Sequence, residues 1–312
     1  MYADAFLPFS LHSADREPDS FAAGFGGALE ATGFAVITDH GLPSDLIDEC
    51  LRNFRLFFSY SAAEKLRYHR VGDGGARGYT PFGIEIARGA AQPDRKEFWH
   101  MGRELAANHH YRGMMPPNLW VEQIPGFQST LTALYAEFDR LGRLLLASIA
   151  RYLRLAADWF EPAVATGNSV LRILHYPPTT GVVTGLRAEP HEDINVITLL
   201  LGADEAGLQI KTQDGTWLNC NPPVNSLVCN VGDMLSRLSN NRLPSASHRV
   251  INPIGEQAHR SRYALPFFLH FNPDYVIQTL PNCITETRPN RYPNAITADD
   301  FLRSRLHEIG LL

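Results

Sequence analysis

The sequence predicts a chain that is mainly β with α: a helical first half, then a sandwich or barrel of short strands. Three observations carry this. Apolar residues recur at helical spacing through most of residues 1–165. After residue 165 the apolar runs shorten and are separated by turns rich in Gly, Pro and Asn, with no intervening helical pattern. No flexible polar stretch separates the two parts, so the change in texture is an architectural boundary and not a linker. The expected organisation is one integrated unit, in which a helical region (1–165) packs on a β core (166–312) that ends in a C-terminal helix.

Ser20 is placed to cap a first helix through Phe21, Phe25 and Leu29, with Gly33 at its C-terminal end. Phe34–Thr38 alternates like a short strand, and His40–Gly41 marks a turn. Ser44 opens a second helix with Ile47, Leu51, Phe54 and Phe58 on one face. Ser61 and Glu64 have capping-box spacing for a short third helix. Residues 72–90 read as a glycine-rich irregular loop. The longest helix is expected over Phe127–Leu155, whose stripe from Leu131 to Leu153 holds the helical period for about eight turns. Strands are expected at Val170–Tyr176, Asn195–Leu201, Gly207–Lys211, Thr216–Leu218, Ser226–Val231, Ser247–Ile251 and Arg262–Phe271. Thr297 can cap a last helix through Phe301, Leu302 and Ile309.

Composition narrows the function. With 45% hydrophobic and 20% charged residues, the 312-residue chain is neither disordered nor fibrous. A formal charge of −5 supplies no positive field to draw it to nucleic acid or anionic lipid. Apolar runs such as Val196–Leu201 fall far short of the roughly 20 residues that cross a bilayer. The start, MYADAFLPFS, has no basic stretch followed by an apolar core, so no signal peptide is expected. Cys50, Cys220, Cys229 and Cys283 are scattered without a CxxC pair, which suits core fillers in a reducing, cytoplasmic compartment.

The segment PHEDINVITLL (190–200) carries the chemistry. His191 and Asp193 are two apart at the start of a strand, where residues i and i+2 point to one side. His248, 57 residues on in SASHRVINP, is the best third ligand. Two imidazoles and one carboxylate on one face of a metal leave the opposite face open, an arrangement suited to non-haem Fe(II) oxygen chemistry. Each motif alone is weak, and each histidine alone reads equally as surface or satisfied core. The remaining histidines, such as His100, His175 and His270, lack comparable partners and read as structural. Arg262 opens an otherwise apolar strand, RYALPFF. A buried Arg requires an anion, and its planar fork suits a carboxylate: either the far end of a dicarboxylic co-substrate or a nearby Asp or Glu.

With these residues in view, the chain resembles the iron- and 2-oxoglutarate-dependent dioxygenases, isopenicillin N synthase-like branch. ATGFAVITDHGLP, FFSYSAAEKLRYH, RGYTPFGIE and DRKEFWHMGRE resemble that branch's N-terminal blocks. LRILHYPP, EPHEDINVITLLL, GLQIKTQDGTWLNCNP, VCNVGDML, SHRVINP and RYALPFFLHFNPD resemble its core in order and spacing. HEDIN and LHYP also resemble a bacterial ethylene-forming member. The resemblance implies a double-stranded β-helix (jelly-roll) core wrapped by N-terminal helices, with the long helix backing one sheet. It implies Fe(II) held by His191, Asp193 and His248, with 2-oxoglutarate and O₂ as co-substrates and a small molecule oxidised as succinate and CO₂ leave. Arg262 aligns with the Arg of the family's R-x-S motif, whose third position is Ala264 here. Tyr176 aligns with a tyrosine that contacts the same carboxylate, and Arg172 is a candidate second cation beside it, or else half of a structural salt bridge. Tyr79, Phe82 and Glu85 are expected to line the substrate pocket. Asp233, after Gly232, reads as structural, with Gly232 supplying an unusual backbone angle. Of Phe267 and Phe268, one should face the pocket and the other the core. An Fe(II) oxidase that does without 2-oxoglutarate, or a non-catalytic binding module on the same scaffold, are the alternatives. Substrate and oligomeric state are not legible.

Overall fold

The computed structural model describes residues 6–72, 74–85, 93–178, 185–202, 207–253 and 255–308. Its first half runs β1 (Pro8–Ser10), α1 (His12–Arg16), α2 (Pro18–Thr32), β2 (Phe34–Thr38), α3 (Ser44–Phe58), α4 (Ala62–Leu66), β3 (Gly78–Thr80), β4 (Glu97–Gly102), α5 (Phe127–Tyr152) and α6 (Glu161–Val164). The second half runs β5 (Val170–Tyr176), β6 (Ala188–His191), β7 (Ile197–Leu201), β8 (Leu208–Lys211), β9 (Trp217–Cys220), β10 (Leu227–Val231), α7 (Asp233–Leu238), β11 (His248–Val250) and β12 (Arg262–Leu269). A ribbon of β13 (Val276–Ile277) and β14 (Ile296–Thr297) then leads into α8 (Ala298–Glu308).

The sheets form a jelly-roll. An eight-stranded sheet has the order β1-β2-β10-β7-β12-β5-β4-β3, and a four-stranded sheet the order β6-β11-β8-β9. Because strands alternate sides, β12 and β5 send odd-numbered residues to one face and even-numbered ones to the other. On the outer face Leu171, Ile173, Leu265 and Phe267 join Trp99 and the stripe of α5 in the main core. Phe267 is fully buried there, stacked 5.6 Å from Phe138, and such burial is worth about 1.5–3 kcal/mol. On the inner face Phe98, Leu174, Tyr176 and Ala264 form a smaller apolar patch.

Local rules explain most boundaries. Gly33 ends α2 in the left-handed region (φ 76°), returning its N–H to Leu29. Ser61 and Glu64 close a full capping box on α4. Thr297 Oγ1 accepts the Asp300 N–H at 3.2 Å at the start of α8, while Ile309 lies outside the described residues. Ser20 is not the cap of α2: that helix starts earlier, at Pro18, whose fixed φ suits a first turn. Ser44 begins α3 without a side-chain cap bond. The first half is also less purely helical than its periodicity implies, since β1 to β4 are strands of the large sheet. Part of the loop read at 72–90 is ordered as β3, while 73 and 86–90 lie outside the described residues.

Candidate metal centre

His191 is the last residue of β6 and His248 the first of β11, and the antiparallel register sets them directly opposite each other. Their rings are 4.4 Å apart. Asp193 comes from the segment after β6 and not from the strand itself, so the i, i+2 reading holds in outcome but not in geometry. The carbonyl of Asp193 accepts the Asp233 N–H at 2.7 Å, which pins that segment to the start of α7. One ligand atom from each of His191, Asp193 and His248 lies within 4.8 Å of the others, and no other such group of three occurs among the described residues.

The donor set fits a divalent ion. His191 turns Nδ1 to the Glu189 carbonyl (2.7 Å) and His248 turns Nδ1 to that of Ala246 (3.2 Å), so both present Nε2. Asp193 Oδ2 accepts from Thr198 Oγ1 (2.5 Å) and Asn230 Nδ2 (2.7 Å). Its Oδ1 faces His248 Nε2 at 3.9 Å. Burial pushes His191 down to about 4, helped by the neighbouring His248, which keeps the imidazole neutral and its lone pair available. Burial opposes ionisation of Asp193, but the two imidazoles and the hydrogen bonds from Asn230 and Thr198 win and lower its pKa.

Arg262 opens β12 opposite Tyr176 on β5, both on the inner face. Arg262 is 6% exposed, and its guanidinium lies 5.6 Å from the Tyr176 ring. Arg187 flanks the same ring at 5.6 Å, a second buried cation that no spacing in the sequence marks. Ala264 sits in the apolar patch with Leu174.

Arg172 stands four residues from Tyr176 along β5, about 13 Å of strand. Its Nε donates to His100 Nε2 (2.5 Å), while Nη1 and Nη2 donate to Glu85 (3.3 and 3.2 Å). The guanidinium lies 4.1 Å over the Phe98 ring. Glu85 also pairs with Lys96 (2.6 Å), which pairs with Asp94 (2.6 Å). Asp94 in turn accepts the Glu189 N–H at 3.0 Å, tying this network to β6. Burial opposes the Glu85 charge, yet Arg172 and Lys96 hold its carboxyl well below the usual carboxylate range.

Several expectations need correction. Tyr79 does not point to the inner face of the large sheet: it turns to the outer face, where its hydroxyl donates to Glu97 at 2.5 Å beside Phe57. Phe82 is exposed, its ring 5.7 Å from Arg95. Gly232 has an ordinary φ of −100°; it is glycine because a Cβ there would stand 2.1 Å from the Asn195 carbonyl oxygen. Asp233 pairs with Arg305 of α8 at 3.0 Å. Phe267 lies in the core and Phe268 on the opposite face of β12, 5.2 Å from Arg172. His100 and His175 do have partners, the latter Glu97 at 2.7 Å and Ser261 at 3.0 Å. The four cysteines are free and buried. No helix among the described residues is long and apolar enough to cross a membrane.

Comparison with known proteins agrees with this architecture. Residues 7–123 match the family described as non-haem dioxygenase in morphine synthesis N-terminal, and residues 167–271 match the 2OG-Fe(II) oxygenase superfamily. The 2-oxoglutarate-Fe(II) type oxidoreductase hxnY of Emericella nidulans is 33% identical over 88% of this chain and 81% of its own length. A 2OG-Fe(II) oxygenase family protein from Caulobacter crescentus superposes with a TM-score of 0.92 at 49% identity, covering 98% of this chain and 99% of that one. A full-length Neurospora crassa protein in complex with alpha-KG superposes with a TM-score of 0.85 at 26% identity, covering 96% and 95%. With a jelly-roll, a His-Asp-His cluster between its sheets and relatives of this kind along nearly its whole length, the chain belongs to the 2OG-Fe(II) oxygenase superfamily.

Proposed function

We propose that His191, Asp193 and His248 bind the Fe(II) of a 2-oxoglutarate-dependent oxygenase, and that Arg262 and Tyr176 hold the far carboxylate of the co-substrate. The observation that carries this is the pairing of His248 with His191 across β6 and β11, with Asp193 in ligand reach of both. When bound, Fe(II) and 2-oxoglutarate supply O₂ activation and the oxidation of a small-molecule substrate, with release of succinate and CO₂. The protein's own part is to orient and to exclude water. Thr198 and Asn230 fix the Asp193 carboxylate so that Oδ1 is offered. Arg187 adds positive charge beside Tyr176, which supports the carboxylate assignment despite Ala264. A hydrogen bond to a charged group is worth about 1.5–3 kcal/mol, so the missing serine hydroxyl weakens the clamp without abolishing it.

The order of the sequence blocks supports the isopenicillin N synthase-like branch. Four buried free cysteines support a cytoplasmic protein, and the net negative charge supports no role with nucleic acid. Ala264 is the one feature that favours an oxidase without 2-oxoglutarate. The deciding experiment is anaerobic addition of Fe(II) and 2-oxoglutarate, followed by the visible band of their chelate, and then succinate release against a metabolite panel. Wild type shows the band, Arg262→Gln shows it only at higher 2-oxoglutarate, and His191→Ala or Asp193→Ala shows neither band nor succinate. O₂ uptake independent of added 2-oxoglutarate would favour the oxidase, and a protein that binds neither iron nor 2-oxoglutarate would be a binding module.

A further inference from the structure

A second constellation of reactive groups lies on the outer face of the large sheet. Glu97, the first residue of β4, pairs in register with His175 of β5, which in turn pairs with Tyr263 of β12. Glu97 and His175 are buried, while Ser261, the residue before β12, is exposed. His175 joins the other two: Nδ1 lies 2.7 Å from Glu97 Oε1, and Nε2 lies 3.0 Å from Ser261 Oγ. Tyr176 and Arg262, the chain neighbours of His175 and Ser261, are on the inner face, so these three residues stand on the other side of the sheet from the co-substrate clamp.

The partners fix where the protons are. Burial opposes the Glu97 charge, but hydrogen bonds from His175, Lys65 and Tyr79 outweigh it and lower its pKa. An ionised carboxylate only accepts, so Nδ1 of His175 carries a proton and donates it. In the neutral ring Nε2 is then a bare acceptor, and the Ser261 hydroxyl donates to it. Lys65 (2.7 Å) and the Tyr79 hydroxyl (2.5 Å) occupy Glu97 Oε2, which leaves Oε1 to the ring. Phe58 and Tyr263 pack against the imidazole, each with its ring centre 4.9 Å away and its plane within 28° of parallel, and so hold its orientation. The Tyr263 hydroxyl also interacts with the Ser261 side chain, which sets a further donor beside the serine oxygen. An exposed hydroxyl, a base within hydrogen-bond reach and a buried acid that orients the base are together the arrangement that turns a serine into a nucleophile.

We infer that Ser261 is a second reactive centre of this protein, a nucleophile toward small carboxylic esters, with His175 as its base and Glu97 as the residue that positions the base. Ser261 Oγ bonds to the ester carbonyl carbon as its proton passes to His175 Nε2, and that proton leaves with the alcohol when the ester C–O bond breaks. Water then repeats the transfer at the acyl-serine and releases the acid, so the sum is ester plus water giving acid plus alcohol. The Tyr263 hydroxyl is the side-chain donor for the charge that gathers on the carbonyl oxygen. The inference is independent of the Fe(II)/2-oxoglutarate reading, since none of these residues holds the metal or the co-substrate.

The test uses the whole chain and two probes. A fluorophosphonate forms an Oγ–P bond at an activated serine and releases fluoride with the serine proton, and p-nitrophenyl acetate reports ester turnover by its coloured product. The expected result is one phosphonyl adduct, located at Ser261 by peptide mass, in the folded protein and none in the urea-unfolded chain. Ser261→Ala should abolish both the adduct and p-nitrophenyl acetate turnover. His175→Gln should slow labelling of an intact Ser261 by about 100-fold or more, with far-UV circular dichroism unchanged. An adduct elsewhere or nowhere overturns the inference, as do equal labelling of the unfolded chain and ester turnover that survives Ser261→Ala. Labelling at an unchanged rate in folded His175→Gln also overturns it, because the contact with Ser261 would then be structural only.

Discussion

Thr198→Val isolates what the surroundings of Asp193 contribute to metal binding. The substitution keeps the branched shape and removes one hydroxyl, which donates to Asp193 Oδ2 at 2.5 Å. Asn230 Nδ2 remains as a donor to the same oxygen at 2.7 Å, so the carboxylate is loosened and not released. Asn195 Nδ2 loses one acceptor but keeps the Ile197 carbonyl at 2.7 Å, so no new buried donor is stranded. A hydrogen bond to a charged group contributes about 1.5–3 kcal/mol. If most of that acts on ligand orientation, affinity for the ion falls by about 10–100-fold, the range typical of groups behind a metal ligand. The assay is chelator competition for Fe(II), or for Zn(II) as a redox-inert substitute, with urea unfolding of the metal-free protein as a control. A dissociation constant within twofold of wild type would refute the reasoning. So would a loss of stability with unchanged affinity, which would make the bond a fold contact only.

Three further outcomes are expected. Gly232→Ala must push the Asn195 carbonyl away from a Cβ at 2.1 Å, so urea unfolding should show a loss of about 1–3 kcal/mol or more, and metal affinity should fall with it because Asp193 is two residues from the displaced group. Burial pushes His270 down to about 4, against the opposing pull of the Asp193 charge, so the folded protein keeps it neutral where the unfolded chain protonates it near 6.5. Stability from this group is complete above pH 6.5 and is lost as pH falls toward 4, by on the order of 3 kcal/mol; His270→Gln should flatten that part of the pH–stability curve, and unchanged slopes would contradict the assignment. Ser61→Ala removes half of the capping box on α4 and should cost about 1 kcal/mol in thermal or urea unfolding, with no change in metal affinity.

What can be read in the sequence follows from which signals are local. Phe34–Thr38 and Val170–Tyr176 are strands at the positions their patterning indicates, because turn residues bound them closely. β4 is hidden because every residue of Glu97–Gly102 is buried, on one face or the other, which removes the polar alternation that marks a half-exposed strand. Ser20 misleads because Pro18 is the stronger start signal two residues earlier. At the site, His191, Asp193, His248 and Arg262 stand out as polar groups inside apolar strand patterns. Lys96, Asp94 and Arg187 do not, and neither does the ion pairing of Glu85, since these contacts join separate segments whose spacing carries no period.

The margins of the large sheet have a consequence for how the chain is made. The C-terminal half supplies only its centre, β10-β7-β12-β5, while β1 and β2 flank one side and β3 and β4 the other. Ile37 of β2 pairs with Leu227 of β10, 190 residues later. At a synthesis rate of about 5–20 residues per second, the leading strand waits on the order of 10–40 s for its neighbour to leave the ribosome. Throughout that interval an apolar ribbon, FAVIT, has an unpaired edge, which makes the nascent chain most vulnerable to misassociation before its second half exists.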